Sequence, residues 1–420
     1  MDRISKTPAA LAAIVTLVML QALLLATPVS VRAGPNTLDF NGMGVLWQNS
    51  TGHNATLWSV RWSPDGSMLS ATYFDNTTVV FNSTTGKRIV KLGSWPIAPG
   101  SKNGMGLDCD GSQDCPISPN HMPARVNAWS PDGKYLAMGG DNRLVILYDT
   151  ATWQVAKVLS GHRGSVLSLD FSPDSRYLAS GSGTDKVMMN NAPDENVVKI
   201  WDVANGTLVK DLWGHKDGVM QVKWSPNGSW LVSVSDDKSI RLWELGTWSM
   251  LGELKGHVLG VLSVDYSPNG TMLVTGSRDY TVRLWDLMTR QPAAKWDAPN
   301  CVRSVDWHPS GDVIATSGVD ETMLSIRNAS NGATLRSFTD SATTRSAVMS
   351  SRWSPDGRML AAAAGKEHIL RVYAPGVAGG SANASIPAWV PGFVLFAVLF
   401  VVMIVAIVRW GWRRMQGEWR

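Results

Sequence analysis

The chain reads as an all-β protein: a seven-bladed β-propeller with an N-terminal export segment and one C-terminal transmembrane helix. Three observations carry this reading. A five-residue phrase, first met as Trp62-Ser63-Pro64-Asp65-Gly66, occurs seven times. Each interval holds four short apolar runs separated by turn residues, the make-up of one propeller blade. Long uncharged apolar stretches stand near both ends of the chain.

The other copies of the phrase begin at Trp129, Phe171, Trp224, Tyr266, Trp307 and Trp353, so the intervals are 67, 42, 53, 42, 41 and 46 residues. A period near 42 marks one supersecondary unit repeated along the chain. The unit from Gly214 to Glu244 shows its parts. Val219 to Trp224 forms a first run, and Ser-Pro-Asn-Gly turns the chain, proline setting φ and Asn-Gly supplying positive φ. Trp230 to Val234, Ser239 to Trp243 and Met250 to Leu254 supply the other three.

Over residues 45–373 this resembles the WD40 repeat family. Gly-His pairs open units at His53, His162, His215 and His257, and Trp-Asp pairs close them at Trp201-Asp202 and Trp285-Asp286. Trp243-Glu244 and Tyr148-Asp149 are near matches, whereas Phe81-Asn82, Arg327-Asn328 and Tyr373-Ala374 depart from the pattern. The resemblance implies a buried network within a blade, with His215, Ser233, Asp237 and Trp243 as one set and His257, Thr275, Asp279 and Trp285 as another. Its repetition from blade to blade identifies it as a structural device and not a catalytic triad.

Residues 1–33 carry Arg3 and Lys6, an apolar run from Ala9 to Ala26, and Val31-Arg32-Ala33 with small residues placed for cleavage after Ala33: a signal peptide, or a signal anchor if uncleaved. A lead-in covers 34–44 and a Gly/Ala/Ser-rich linker covers 374–385. Residues 386–408 contain no charge and are long enough, at about 1.5 Å each, to span a bilayer of about 30 Å as a transmembrane helix. Arg409, Arg413 and Arg414 follow at once, which puts the tail 409–420 in the cytoplasm and the propeller outside the cell membrane. Pro391-Gly392-Phe393 is a faint match to the sorting signals of archaeal surface proteins. The formal net charge is +4, of which the signal region carries +2 and the tail +3, leaving −1 for the rest. That balance gives no basic face for nucleic acid.

Export makes each Asn-X-Ser/Thr a candidate glycosylation acceptor: Asn49, Asn54, Asn76, Asn82, Asn205, Asn227, Asn269, Asn328 and Asn383. In the family's convention the fourth-to-first and second-to-third connections lie on the top face. The two intervals that break the period contain insertions at 94–124, before blade 2, and 184–195, within blade 3, and both fall on top. Long insertions in a repeat mark a binding face. The first contains Cys109 and Cys115, expected as a disulfide, around Asp108, Asp110 and Asp114, an acidic loop suited to a weak Ca²⁺ site. Cys301, the third cysteine, is expected as a buried thiol at the start of blade 6.

The N-terminal run around Val45 is expected to complete blade 7, which otherwise has three strands. These features point to a membrane-tethered extracellular scaffold, without enzymatic activity or cofactor, that binds a protein or glycan partner through the top face over blades 2 and 3. A propeller enzyme with a site in the central funnel, or a sensor coupled to a membrane partner, are the alternatives. The sequence offers no nucleophile elbow, zinc spacing or phosphate loop for the former.

Overall fold

A computed structural model of the chain describes residues 40–50, 55–93, 123–183, 195–318, 324–338, 347–364 and 368–376. They form seven four-stranded antiparallel sheets. Blade 1 comprises Leu57–Trp62, Met68–Tyr73, Thr77–Asn82 and Arg88–Gly93; blade 2 comprises Ala124–Trp129, Tyr135–Gly140, Val145–Asp149 and Val155–Leu159. Blade 3 is Ser165–Phe171, Tyr177–Gly183, Val198–Asp202 and Thr207–Leu212; blade 4 is Val219–Trp224, Trp230–Ser235, Ile240–Glu244 and Met250–Leu254. Blade 5 follows as Val261–Tyr266, Met272–Ser277, Thr281–Asp286 and Gln291–Asp297, and blade 6 as Val302–Trp307, Val313–Gly318, Leu324–Asn328 and Thr334–Phe338. Blade 7 takes Val348–Trp353, Leu360–Ala364 and Ile369–Ala374 from late in the chain and Gly44–Ser50 from early in it. That last strand pairs antiparallel with Ile369–Ala374, from Gly44 opposite Ala374 to Ser50 opposite Ile369. The ring therefore closes by joining distant parts of the chain.

The repeated phrase is a turn held by its own side chains. In blade 1 the Ser63 hydroxyl donates to Asp65 Oδ1 (2.5 Å) and accepts from the Met68 amide (2.9 Å), while the Gly66 amide donates to the Ser63 carbonyl (2.9 Å). Gly66 has φ +71°, where L side chains are strained. The same bonds recur with Asn227 and Asn269 in place of Asp. The acid that ends a third strand caps the next turn: Asp202 accepts from the Asn205 amide and Asp286 from the Thr289 amide, both at 2.8 Å. Asn82 and Asn328 perform this task in blades 1 and 6, so those units depart in letter while keeping the turn.

Hydrophobic packing lies between blades. Seven clusters of buried residues each join two neighbouring blades, from Val80 and Leu136 between blades 1 and 2 round to Leu57 and Val372 between blades 7 and 1. First strands are innermost and bond directly to one another around the ring, for example the Val222 amide to Ser168 Oγ (2.8 Å) and the Val264 amide to Gln221 Oε1 (3.0 Å). All seven first strands carry a β-bulge near their starts, at Trp58, Arg125, Leu167, Met220, Leu262, Arg303 and Met349. A bulge bends the strand and re-aims a side chain, here around the top mouth of the central channel.

The export segment, residues 94–122 and 184–194, and residues 377–420 lie outside the described residues, so the disulfide, the Asp108/Asp110/Asp114 loop and the transmembrane segment do too. Among the described residues no helix is long and apolar enough to cross a membrane, and no cluster of three metal-ligating side chains occurs. One expectation is corrected at Cys301, which is free and half-buried instead of enclosed. Its place in the loop entering blade 6 leaves it at the rim of the top face, beside a small cavity.

Candidate binding site: the top face and the central channel

Blades 4 and 5 hold the two four-residue networks in nearly superposable form. His215 lies 2.8 Å from Ser233 Oγ through Nε2 and 2.9 Å from Asp237 through Nδ1, and the Trp243 indole donates to the same hydroxyl at 2.8 Å. His257, Thr275, Asp279 and Trp285 repeat this with distances of 2.8 to 2.9 Å. Asp237 and Asp279 also accept the backbone amides of Lys216 and Val258, tying the loop on top to the turn between second and third strands. Burial opposes ionisation of Asp279, but hydrogen bonds from Thr281 and His257 outweigh it and hold the carboxyl at about 2. Both histidine side chains are fully covered. These sets therefore hold the blade together and present no reactive group to solvent.

Gly214 shows why a glycine precedes the histidine. Its φ is +135°, and a Cβ there would lie 2.0 Å from Arg241 Nη1. The positive φ strains any L side chain here, and a Cβ would also require the Arg241 guanidinium to move aside.

Blade 3 carries a third network that the sequence reading missed. His162 meets Ser180 Oγ at 2.6 Å, the Trp201 indole donates to it at 2.7 Å, and Glu195 supplies the carboxylate. Glu195 accepts the amides of Arg163 and Gly164 and lies 3.4 Å from both His162 and Lys199. In blades 4 and 5 the acid stands four residues after the strand hydroxyl; here the insertion moves it to fifteen, which hid it.

A second missed feature fills the channel. The residue before each repeated aromatic lies on an innermost strand: Arg61, Asp170, Lys223, Asp265, Asp306 and Arg352 carry charge there, while Ala128 packs between blades 2 and 3. Asp170, Asp265 and Asp306 each accept the amide of the next blade's tryptophan, Trp224, Trp307 and Trp353, at 2.6 to 2.7 Å. Lys223 lies 3.5 Å from Asp265 and Arg352 lies 3.6 Å from Asp306. Three cations thus balance three anions around the ring. Burial raises Asp170, and it pushes Asp306 up to about 6, with Asp265 nearby adding to the rise. Burial and then Arg352 bring Arg61 down to about 9. Burial also opposes the charge on Lys223, but Asp170 and Asp265 prevail and raise it. Water still reaches the belt, since the Lys223 side chain is 34% exposed, and this softens each shift. Every carboxylate is engaged by an amide and faces a cation, an arrangement that joins blades.

The top surface differs from the filled channel. Its mouth is rimmed by Trp58, Leu167, Met220 and Met349, all half-buried. Trp58 has an indole N–H with no partner and stacks under the Arg125 guanidinium at 5.2 Å, which in turn pairs with Asp141 at 2.5 Å. Farther out, Trp213, Val258, Leu259 and Tyr280 are 60%, 66%, 47% and 52% exposed. All four lie in top-face connections of blades 3 to 5.

The candidate acceptors divide by exposure. Asn205, Asn227 and Asn269 are exposed, and Asn49, Asn82 and Asn328 are half-buried. Asn76 is corrected: at 4% exposure and φ +73° it is a buried turn residue and has no room for a glycan. Asn54 and Asn383 fall outside the described residues.

The comparison with known families agrees with this architecture. A family model for the WD domain, G-beta repeat, matches residues 45–82, 118–149, 153–202, 206–244, 248–286, 290–324 and 332–373. The seven matches cover well over half the chain, most of them joining the outer strand of one sheet to the inner strands of the next, and the chain belongs to the WD40 family.

Proposed function

We propose that this propeller is exported, tethered to the cell membrane by residues 386–408, and serves as a non-catalytic scaffold that docks a protein partner on its outward top face. The observation that carries the docking face is the exposed group Trp213, Val258, Leu259 and Tyr280, set beside the half-buried apolar rim of the channel mouth. Aromatic and aliphatic side chains presented together by rigid loops are what protein interfaces use as anchors. Both long insertions adjoin the same face, so the footprint extends from blades 2 and 3, where they emerge, to blade 5.

Orientation supports the reading. The third strand of blade 7 runs to the bottom face and ends at Ala374, and the linker that follows leads toward the apolar segment. The bottom then faces the bilayer, with the top free. Arg163, Lys216, Lys238, Lys255 and Arg278 stand on the top connections together with Asp141, Asp217, Asp236, Asp237 and Asp279, and Arg278 pairs with Asp236 at 3.0 Å, so the apolar group rather than net charge marks the footprint. Fold alone carries no activity. The convergent carboxylates of the channel are the one feature that speaks for a funnel enzyme, and their engagement by amides and cations speaks for a structural role instead.

The test is affinity capture of the full chain from solubilised membranes, compared with a chain lacking residues 94–124. A partner retained by the first and lost by the second supports the top-face footprint. Identical complexes from both would remove blades 2 and 3 from it.

A further inference from the structure

Blade 6 departs from its neighbours in a coordinated way. Pairing by register sets Thr316 where blade 4 has Ser233, and Arg327 where it has Trp243. Ala298 stands four residues before the first strand, the place of His215. Losing the imidazole and the indole leaves a cavity of about 30 Å³, lined by Ala298, Asn300, Thr316, Ser317, Ser325 and Arg327, that opens on the top face. A cavity of this size is roomy for water and small for a tetrahedral oxyanion.

Arg327 is 8% exposed. Its one bond is a long one from Nη1 to the Asp297 carbonyl (3.3 Å), and Nε has no partner. Among the described residues no carboxylate lies within ion-pair distance of it. Among the described residues the cavity wall offers hydroxyls, the Cys301 thiol, an amide and a guanidinium, and no carboxylate. A buried charge without a counter-charge is costly, and burial alone lowers this guanidinium's pKa.

We propose that the blade 6 cavity binds one halide-sized monovalent anion, held by the Arg327 guanidinium and the Thr316 hydroxyl, which share one face of the sheet. The anion stands where the histidine and tryptophan of blades 3 to 5 would be, so it completes the packing of a blade that lost them.

The experiment is thermal unfolding of the full-length chain at constant ionic strength, with sodium gluconate exchanged stepwise for sodium chloride or bromide. The wild-type midpoint is expected to rise saturably, by about 2 °C, as halide fills the site. Arg327→Gln should abolish the rise, and Ala298→His should abolish it by filling the cavity while Arg327 remains. Line broadening of ³⁵Cl in NMR, present with wild type and absent with Ala298→His, gives a readout independent of stability. A wild-type chain indifferent to halide by both measurements overturns the proposal. So does a halide response that appears only in Asp320→Asn, because Asp320, outside the described residues, would then be the counter-charge.

Discussion

His308 replaces the serine of the repeated turn in blade 6, and its surroundings assign its tautomer. The Ser310 amide donates to Nδ1 at 3.0 Å, so Nδ1 is the acceptor and Nε2–H donates to the Gly357 carbonyl at 2.9 Å. The ring packs edge-on against Trp353, 4.8 Å between centroids. Burial lowers its pKa, as it does for His162 and His257 despite their acidic neighbours. A histidine with a lowered folded pKa takes its proton more readily once unfolded. Its stabilising contribution is therefore complete above about pH 6.5 and declines as the pH falls below that. Asp279 and Glu195, both held at about 2, add a second loss below about pH 4. The thermal midpoint should thus be level from pH 8 to 7 and fall between pH 6.5 and 5, less steeply in His308→Asn and more steeply in Asp306→Asn, because the raised Asp306 takes up its proton in the folded state over the same window and offsets part of the loss. A midpoint unchanged between pH 8 and 5 contradicts this assignment. At the belt, Asp306→Asn keeps an acceptor for the Trp353 amide but leaves Arg352 without its nearest anion. A loss of about 2 kcal/mol is expected by denaturant titration, below the full cost of breaking a sealed pair because the site is wet.

Within one blade, stability should depend on the shared hydroxyl more than on any charge. Ser233 receives the Trp243 indole and meets His215, so Ser233→Ala strands two buried groups at once, at a cost of about 2 to 3 kcal/mol. Hydrogen exchange should accelerate first in blade 4 and its contacts with blades 3 and 5. Uniform acceleration across all seven blades would show that the network does not act blade by blade. At this scale the sequence was most legible where chemistry repeats. Ser-Pro-Asp-Gly is a turn wherever it stands, and two His-Ser-Asp-Trp sets could be named because their spacing matches the family's. Glu195 escaped because an insertion changed the spacing and a longer acid replaced aspartate. The charged belt escaped for a different reason: one residue per 42 has no local pattern, and Arg61, Asp170 and Lys223 become a ring only when the seven phrases are laid one upon another. The docking residues had no signal at all, since an apolar residue in a loop is exposed or covered according to tertiary packing.

For the molecule as a whole, closure and surface decide behaviour. Gly44–Ser50 supplies the outer strand of blade 7, and removing residues 40–50 leaves the Ile369–Ala374 edge unpaired and the cluster around Met43 open. Such a chain should lose its single cooperative unfolding transition and associate in size-exclusion chromatography; a monomer with an unchanged midpoint would mean that six blades and a partial seventh suffice. Rigidity of the closed ring is what allows its top connections to vary without disturbing the blades, and the proposed function rests on that separation. The most direct measurement is the affinity of the captured partner for three chains: wild type, Trp213→Ala with Tyr280→Ala on the top face, and Met288→Ala on the bottom, where Met288 is 83% exposed. The top double variant is expected to bind at least about tenfold more weakly, and the bottom variant to bind like wild type. Equal affinity for the top variant, or a loss confined to the bottom one, contradicts a top-face scaffold.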